Sequence, residues 1–150
     1  PRVALACARS GPAQLTIGGR SPRRAEALAH WLRTAHPELP LDLALDPQAQ
    51  AAAARQADLI IQATPVGLHA DDPSLLPPAA FHPGQHVMDL IYNPSPTAFL
   101  RTARAAGAVT ADGLAMLAFQ GERSFEIWTG LKPPIHLMLK TLEEQRPAHD

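Results

Sequence analysis

A chain of 150 residues, 46% of them hydrophobic, has the material for one domain with a real core. Its formal net charge of −1 leaves no basic field for nucleic acid. A single cysteine, Cys7, excludes an internal disulfide and points to a reducing, cytoplasmic setting. No apolar run approaches the roughly 20 residues that cross a bilayer, so neither membrane nor nucleic acid is an expected partner.

Elements in chain order read as follows. Residues 3–9 are helix formers stopped by Ser10-Gly11-Pro12, and they read as the back of a helix whose front is missing. Gln14 to Gly18 is a strand around Leu15 and Ile17. Ser21-Pro22 opens a helix, serine at the N-cap and proline in the first turn, with Ala25, Leu28, Ala29 and Leu32 as its buried stripe. Pro37 and Pro40 end it. The alternation Leu41 to Leu45 predicts a strand, and Asp46-Pro47 caps a helix to about Gln56. The apolar run inside Asp58 to Ala63 predicts a parallel strand buried on both faces. Residues 68–85 form a proline-rich loop with one helical turn. His86 to Ile91 is the next strand.

Pro96 begins a helix through about Ala106, ended by Gly107, and Ala108 to Thr110 is a short strand. A long helix follows over Leu114 to Trp128, its stripe read as Leu114, Leu117, Gly121, Phe125 and Trp128. The last helix runs from Pro134 to about Gln145 with Ile135, Leu139 and Leu142 inward, followed by a frayed polar end. Strands alternating with helices at these lengths argue for a parallel α/β sheet in one domain, residues 1–150, that includes a C-terminal helical segment at about 113–146.

One segment carries nucleotide chemistry on its face. Gly18-Gly19-Arg20-Ser21-Pro22-Arg23-Arg24 leaves a strand directly. The end of the second strand of a dinucleotide-binding sheet meets the adenosine ribose, where an acid favours NAD and arginine favours the 2′-phosphate of NADP. Here there is no acid and there are three arginines. Arg20 and Arg24 with Ser21 can grip a phosphate. The same residues also read as a solvated basic helix start, although a basic N-terminus opposes the helix dipole.

Four ordered motifs resemble shikimate dehydrogenase. They are Gly19-Arg20-Ser21 with Ala25-Glu26-Ala27-Leu28-Ala29; Asp58 to Gly67, with Gln62-Ala63-Thr64-Pro65-Val66-Gly67 at its end; Met88-Asp89-Leu90-Ile91-Tyr92-Asn93-Pro94 through Thr97, Phe99 and Leu100; and Gly113 to Leu117 with Gln120, Phe125, Trp128 and Gly130. The resemblance implies a Rossmann-like doubly wound sheet, here lacking its first strand and Gly-rich loop, and NADP as cofactor. It implies that Arg20, Ser21 and Arg24 clamp the 2′-phosphate. Ala63 and Thr64 would pass the cofactor ribose, and Leu90 and Gly113 would touch the nicotinamide. Tyr92 and Gln120 would bind shikimate or a related polyol acid. Each also has a plainer reading: Tyr92 an anchor, Gly113 a turn glycine, Gln120 a polar helix flank. Gly19 and Gln62 stand where the family has asparagine, so contacts that those asparagines make are expected to differ.

The family interconverts 3-dehydroshikimate and shikimate with a lysine and an aspartate on an N-terminal substrate domain. No residue of this chain matches that pair, so no catalytic residue is assigned here and the segment alone is expected to be inactive. Asp71, Asp72, Asp89 and Asp112 are given no role, and the histidines show no metal-ligand spacing. The chain, beginning at Pro1, is expected to be part of a longer polypeptide. Alternatives are a quinate-type dehydrogenase or a non-catalytic NADP-binding module. A glutamyl-tRNA-reductase-like domain shares the nucleotide fold, but the Gln120 to Trp128 ending argues against it.

Overall fold

The computed structural model describes residues 1–145, with only the backbone described at Ile135 and His136. Among these residues helices and strands alternate in the order α1 (Arg2–Arg9), β1 (Leu15–Gly18), α2 (Pro22–Ala35), β2 (Leu41–Ala44), α3 (Pro47–Gln56), β3 (Leu59–Gln62), β4 (His86–Asp89), α4 (Ala98–Ala105), β5 (Val109–Ala111), α5 (Leu114–Thr129) and α6 (Ile135–Glu144). One 3₁₀ turn, Pro78–Ala80, interrupts the loop between β3 and β4. The expected outer limit of the helical segment, near residue 146, and the expected frayed end lie outside the described residues, as does the side chain of Ile135.

All ladders are parallel, but they form two sheets, β1-β2 and β3-β4-β5. Leu15 pairs with Leu41 in the first, and Ile61 with Met88 and Val87 with Thr110 in the second. In a doubly wound sheet of order 3-2-1-4-5-6, these pairs occupy positions 2 and 3 and positions 4 to 6. The break between β1 and β3 is the place of the first strand, as expected for a sheet lacking it.

Two apolar clusters hold the halves. Ala8 of α1, Ala29 and Leu32 of α2 and Leu41 of β2 are buried together. Phe81, Val87, Phe99, Leu100, Ala103 and Ala108 form the other, with Phe81 and Phe99 edge to face at 5.5 Å between ring centroids. Helix α3 joins the halves through polar contacts. Gln50 donates toward the carbonyls of Gly19 and Ala44 at 3.4 and 3.3 Å. Buried Gln85, just before β4, donates to the carbonyls of Ala54 and Ala57 at 2.7 Å each.

Caps follow the sequence with two differences. Asp46 accepts the Ala49 N–H at 2.8 Å, and Thr97 accepts that of Leu100 at 3.3 Å. Ser21 holds the N-cap position of α2, but its hydroxyl makes no capping bond. Helix α4 starts at Ala98, two residues later than expected, because Thr97 is its cap.

Strand β3 is not buried on both faces: Leu59 is 54% exposed, since β3 is the edge of its sheet and pairs only with β4. On α5 the inward stripe is Leu114, Ala118 and Glu122. Leu117 and Phe125 are half-buried, and Trp128 is 82% exposed. The expected stripe followed the largest apolar side chains. The helix instead presents a narrower face, Leu114, Ala118 and Glu122, inward, and its last turn is exposed. Helix α6 folds back on α5, where the Sδ of Met138 lies 3.5 Å from the position of a β-carbon on Gly121.

Candidate cofactor and substrate site

The carboxyl ends of β3 and β4 meet in a concavity of about 310 Å³ lined by Ala63, Thr64, Leu68, Leu90, Ile91, Tyr92 and Asn93. Open parallel sheets bind ligands beyond these strand ends. Four of the expected residues, Ala63, Thr64, Leu90 and Tyr92, are brought together here. Tyr92 is 43% exposed.

Local hydrogen bonds shape both walls. On the β3 side, the Gln62 side chain donates to the Val66 carbonyl at 2.7 Å and accepts the Thr64 N–H. The Thr64 hydroxyl accepts the Val66 N–H at 3.2 Å. Glutamine thus fixes the turn that carries Ala63 and Thr64. Gly67 has φ +109°, a conformation natural to glycine, and a β-carbon there would lie 3.1 Å from Ile91 Cδ1 and 3.2 Å from Thr97 Cγ2. The two loops therefore pack directly on one another. Asp72 ties the next turn by accepting the N–H groups of Gly67 at 2.7 Å and His69 at 3.1 Å, bonds that hold its carboxyl below the ordinary carboxylate range.

On the β4 side, the strand stops at Asp89 rather than Ile91. The Asp89 carboxylate accepts the Ile91 N–H at 3.0 Å and the Thr97 hydroxyl at 2.7 Å, which turns the backbone out of the ladder. Burial pushes this carboxyl above the ordinary range, partly opposed by these bonds and one from Gln62, while the charge of Asp112 adds to the rise. Asp112 accepts the Ser95 hydroxyl at 2.6 Å and the Leu114 N–H at 3.1 Å, joining the loop before α4 to the start of α5.

Gly113 is placed behind this wall and does not line the concavity. Its close neighbour is the backbone of Leu90, whose carbonyl carbon would lie 2.6 Å from a β-carbon on Gly113. Gln120 lies exposed on α5, outside the lining residues. Arg20, Ser21 and Arg24 stand at the end of β1 in the other sheet. Among the described residues neither Arg20, Arg23 nor Arg24 forms a salt bridge or a side-chain hydrogen bond, and the Ser21 hydroxyl is not used for capping. Unspent donors at the start of a helix suit an anion.

Residues 113–143 match the profile of the Shikimate 5'-dehydrogenase C-terminal domain. The NADP(+) shikimate dehydrogenase of Moorella thermoacetica is 38% identical over 147 residues, covering 97% of this chain and 50% of that protein. That of Methanocella arvoryzae is 39% identical over 132 residues, covering 88% and 48%. The expected resemblance to shikimate dehydrogenase holds. This chain spans about half the length of the curated relatives it matches.

The fold agrees. Shikimate 5-dehydrogenase from Thermus thermophilus, solved with NADP(H) and shikimate, superposes with TM-score 0.75 and 37% identity over 95% of this chain and 49% of that one. Quinate dehydrogenase from Corynebacterium glutamicum, solved with NAD, superposes with TM-score 0.83 and 29% identity over 95% and 50%.

Sequence reasoning singled out Gln62 as a position whose contacts would differ, but it passed over Asp89 and Asp112 as constituents of the site's frame. The one available signal was Asp89 followed by Thr97 across a proline-bearing loop, a donor and acceptor whose meeting depends on the tertiary turn.

Proposed function

We propose that this chain is the NADP-holding part of an oxidoreductase that interconverts 3-dehydroshikimate and shikimate, within aromatic amino acid biosynthesis. The observation that carries the reading is the concavity at the ends of β3 and β4, with Ala63, Thr64, Leu90 and Tyr92 on its walls. Its volume is at the small end of ligand sites, and its walls are mainly apolar with a few polar groups. That combination suits a flat nicotinamide ring with its ribose.

Arg20 and Arg24 with Ser21 are assigned the 2′-phosphate of the adenosine. Guanidinium groups without protein partners and a free hydroxyl fit a dianionic group, and the absence of an acid there disfavours the bare 2′-hydroxyl of NAD. Ala63 and Thr64 pass the ribose, and Leu90 shapes the wall beside the ring. Gly113 acts on the nicotinamide through Leu90. Tyr92 and Gln120 are assigned to the hydroxyls of shikimate: a phenol and a carboxamide supply both donors and acceptors.

When bound, the cofactor supplies the hydride acceptor or donor. The residues of this chain bind and orient, and no proton-transfer role is given to any of them. That role is assigned to an N-terminal substrate domain, with residues 1–150 serving as part of the nucleotide-binding domain and about 113–146 as its helical segment. The cytoplasm is the proposed compartment, where a free Cys7 stays reduced. Among the described residues no helix is long and apolar enough to cross a membrane.

The test is the polypeptide as its reading frame encodes it, mixed with shikimate and NADP. A rise in reduced-nicotinamide absorbance is expected. The structural likeness to a quinate dehydrogenase makes quinate the second substrate to offer. A rise with quinate alone would move the substrate assignment, and no rise with either would overturn the reading.

A further inference from the structure

We propose that Asp89 is the positioning residue that fastens both walls of the substrate side to one buried carboxylate. The proposal rests on the functional reading above and concerns a residue that touches neither cofactor nor substrate.

Asp89 is 0% exposed. Its Oδ1 accepts the Ile91 N–H at 3.0 Å, and its Oδ2 accepts the Thr97 hydroxyl at 2.7 Å. Gln62 is its direct partner across the β3–β4 ladder, and the Gln62 side chain favours the ionised carboxyl. Gln62 in turn fixes Thr64 and Val66. One carboxylate therefore holds the turn that carries Leu90 to Tyr92 and the cap of α4, and it lies across the ladder from Gln62, which holds the turn that carries Ala63 and Thr64. The contact of Gly67 with Ile91 and Thr97 closes the same frame from the side.

A buried carboxylate is a costly choice if the only need is stability, since desolvation works against it and no cation is among its hydrogen-bond partners. What the carboxylate offers that an apolar side chain does not is two acceptor atoms in fixed directions. They set where the chain leaves β4, and so where the Tyr92 phenol stands. Arg20, Ser21 and Arg24 belong to the other sheet and share none of these bonds. Loss of Asp89 should disturb the substrate end and spare the 2′-phosphate end.

The experiment compares D89A, D89N and T97V with the parent polypeptide in steady-state kinetics with shikimate, against NADP and NAD. D89A is expected to lower kcat/KM for shikimate about tenfold to a hundredfold. The preference for NADP over NAD should stay within about twofold, as for a distant independent site. D89N keeps an acceptor for Ile91 and gains a donor for Thr97, so it should recover most of the loss, and T97V should lose less than D89A. Amide exchange at Leu90 to Asn93 should quicken in D89A and not in D89N. This last measurement decides the matter even if the parent does not oxidise shikimate, in which case the functional reading fails separately. Should D89A not fold, T97V carries the same comparison with the carboxylate intact. Equal losses of substrate and cofactor selectivity, no recovery in D89N, or unchanged exchange at Leu90 to Asn93 overturns the positioning role.

Discussion

Gly113 stands so close to Leu90 that a β-carbon on it would lie 2.0 Å from the Leu90 carbonyl oxygen. The Gly113 N–H also donates to the Ile91 carbonyl at 3.2 Å. Its φ of −77° and ψ of 1° are open to any residue, so contact and not backbone conformation requires glycine here. The start of α5 is thereby pressed against the strand end that forms one wall of the site.

G113A should therefore be destabilising. The obstructing atoms are backbone and cannot swing aside, so the cost should be at or above the upper end of the usual overpacking range of about 1–3 kcal/mol. Urea denaturation of G113A beside G121A checks this. At Gly121 a β-carbon would meet Met138 Sδ at 3.5 Å, an ordinary contact. Equal stability of the two variants would contradict the account.

Replacing Arg20 and Arg24 with alanine should weaken NADP far more than NAD. Charge-assisted bonds to phosphate are worth roughly 1.5–3 kcal/mol each, so each substitution should cost about tenfold to a hundredfold in NADP affinity. Titration of both nucleotides by calorimetry, at two salt concentrations, reads the effect. A matching loss for NAD would remove the 2′-phosphate clamp.

Local rules carried much of the fold. Ser21-Pro22 and Asp46-Pro47 mark helix starts through chemistry confined to a few residues, and the Leu41 to Leu45 alternation marks a strand in the same way. What the sequence left hidden depends on partners distant along the chain. Asp89 reads as a strand-end acid until Thr97 and Gln62 are brought to it. Trp128 reads as core because it is large and lies on a helical period, yet α5 turns Leu114, Ala118 and Glu122 inward. The site divided similarly. Tyr92 and Thr64 sit where strand ends predict them, while the frame beneath them became visible only with the turns in place.

Asp72 and Asp89 should give acid responses of opposite sign. The folded-state pKa of Asp72 is lowered by the N–H groups of Gly67 and His69, so its contribution is present above the unfolded value near 3.9 and is lost as pH falls through the lower folded value. D72N should be less stable than the parent at neutral pH, and the gap should close in acid. Asp89 is raised by burial, so its ionisation works against folding once pH rises through the unfolded value. D89N should gain relative to the parent as pH rises from acid to neutral. Thermal melts across that range, for both variants, check the signs. Parallel curves for the two would contradict the assignment.

Y92F tests the substrate wall without touching its frame. Loss of one hydrogen bond to a neutral hydroxyl costs about 0.5–1.5 kcal/mol, so KM for shikimate should rise up to about tenfold with NADP affinity unchanged. A phenylalanine variant with parental KM would place the Tyr92 hydroxyl outside the substrate contacts.

Hydride transfer between shikimate and NADP is the central claim, and isotope tracing reaches it most directly. Shikimate deuterated at the carbon bearing the oxidised hydroxyl is incubated with the complete polypeptide and NADP, and the reduced cofactor is weighed by mass spectrometry. The account predicts that the deuterium appears in the cofactor. Reduced cofactor without the label, or no reduced cofactor at all, would contradict it.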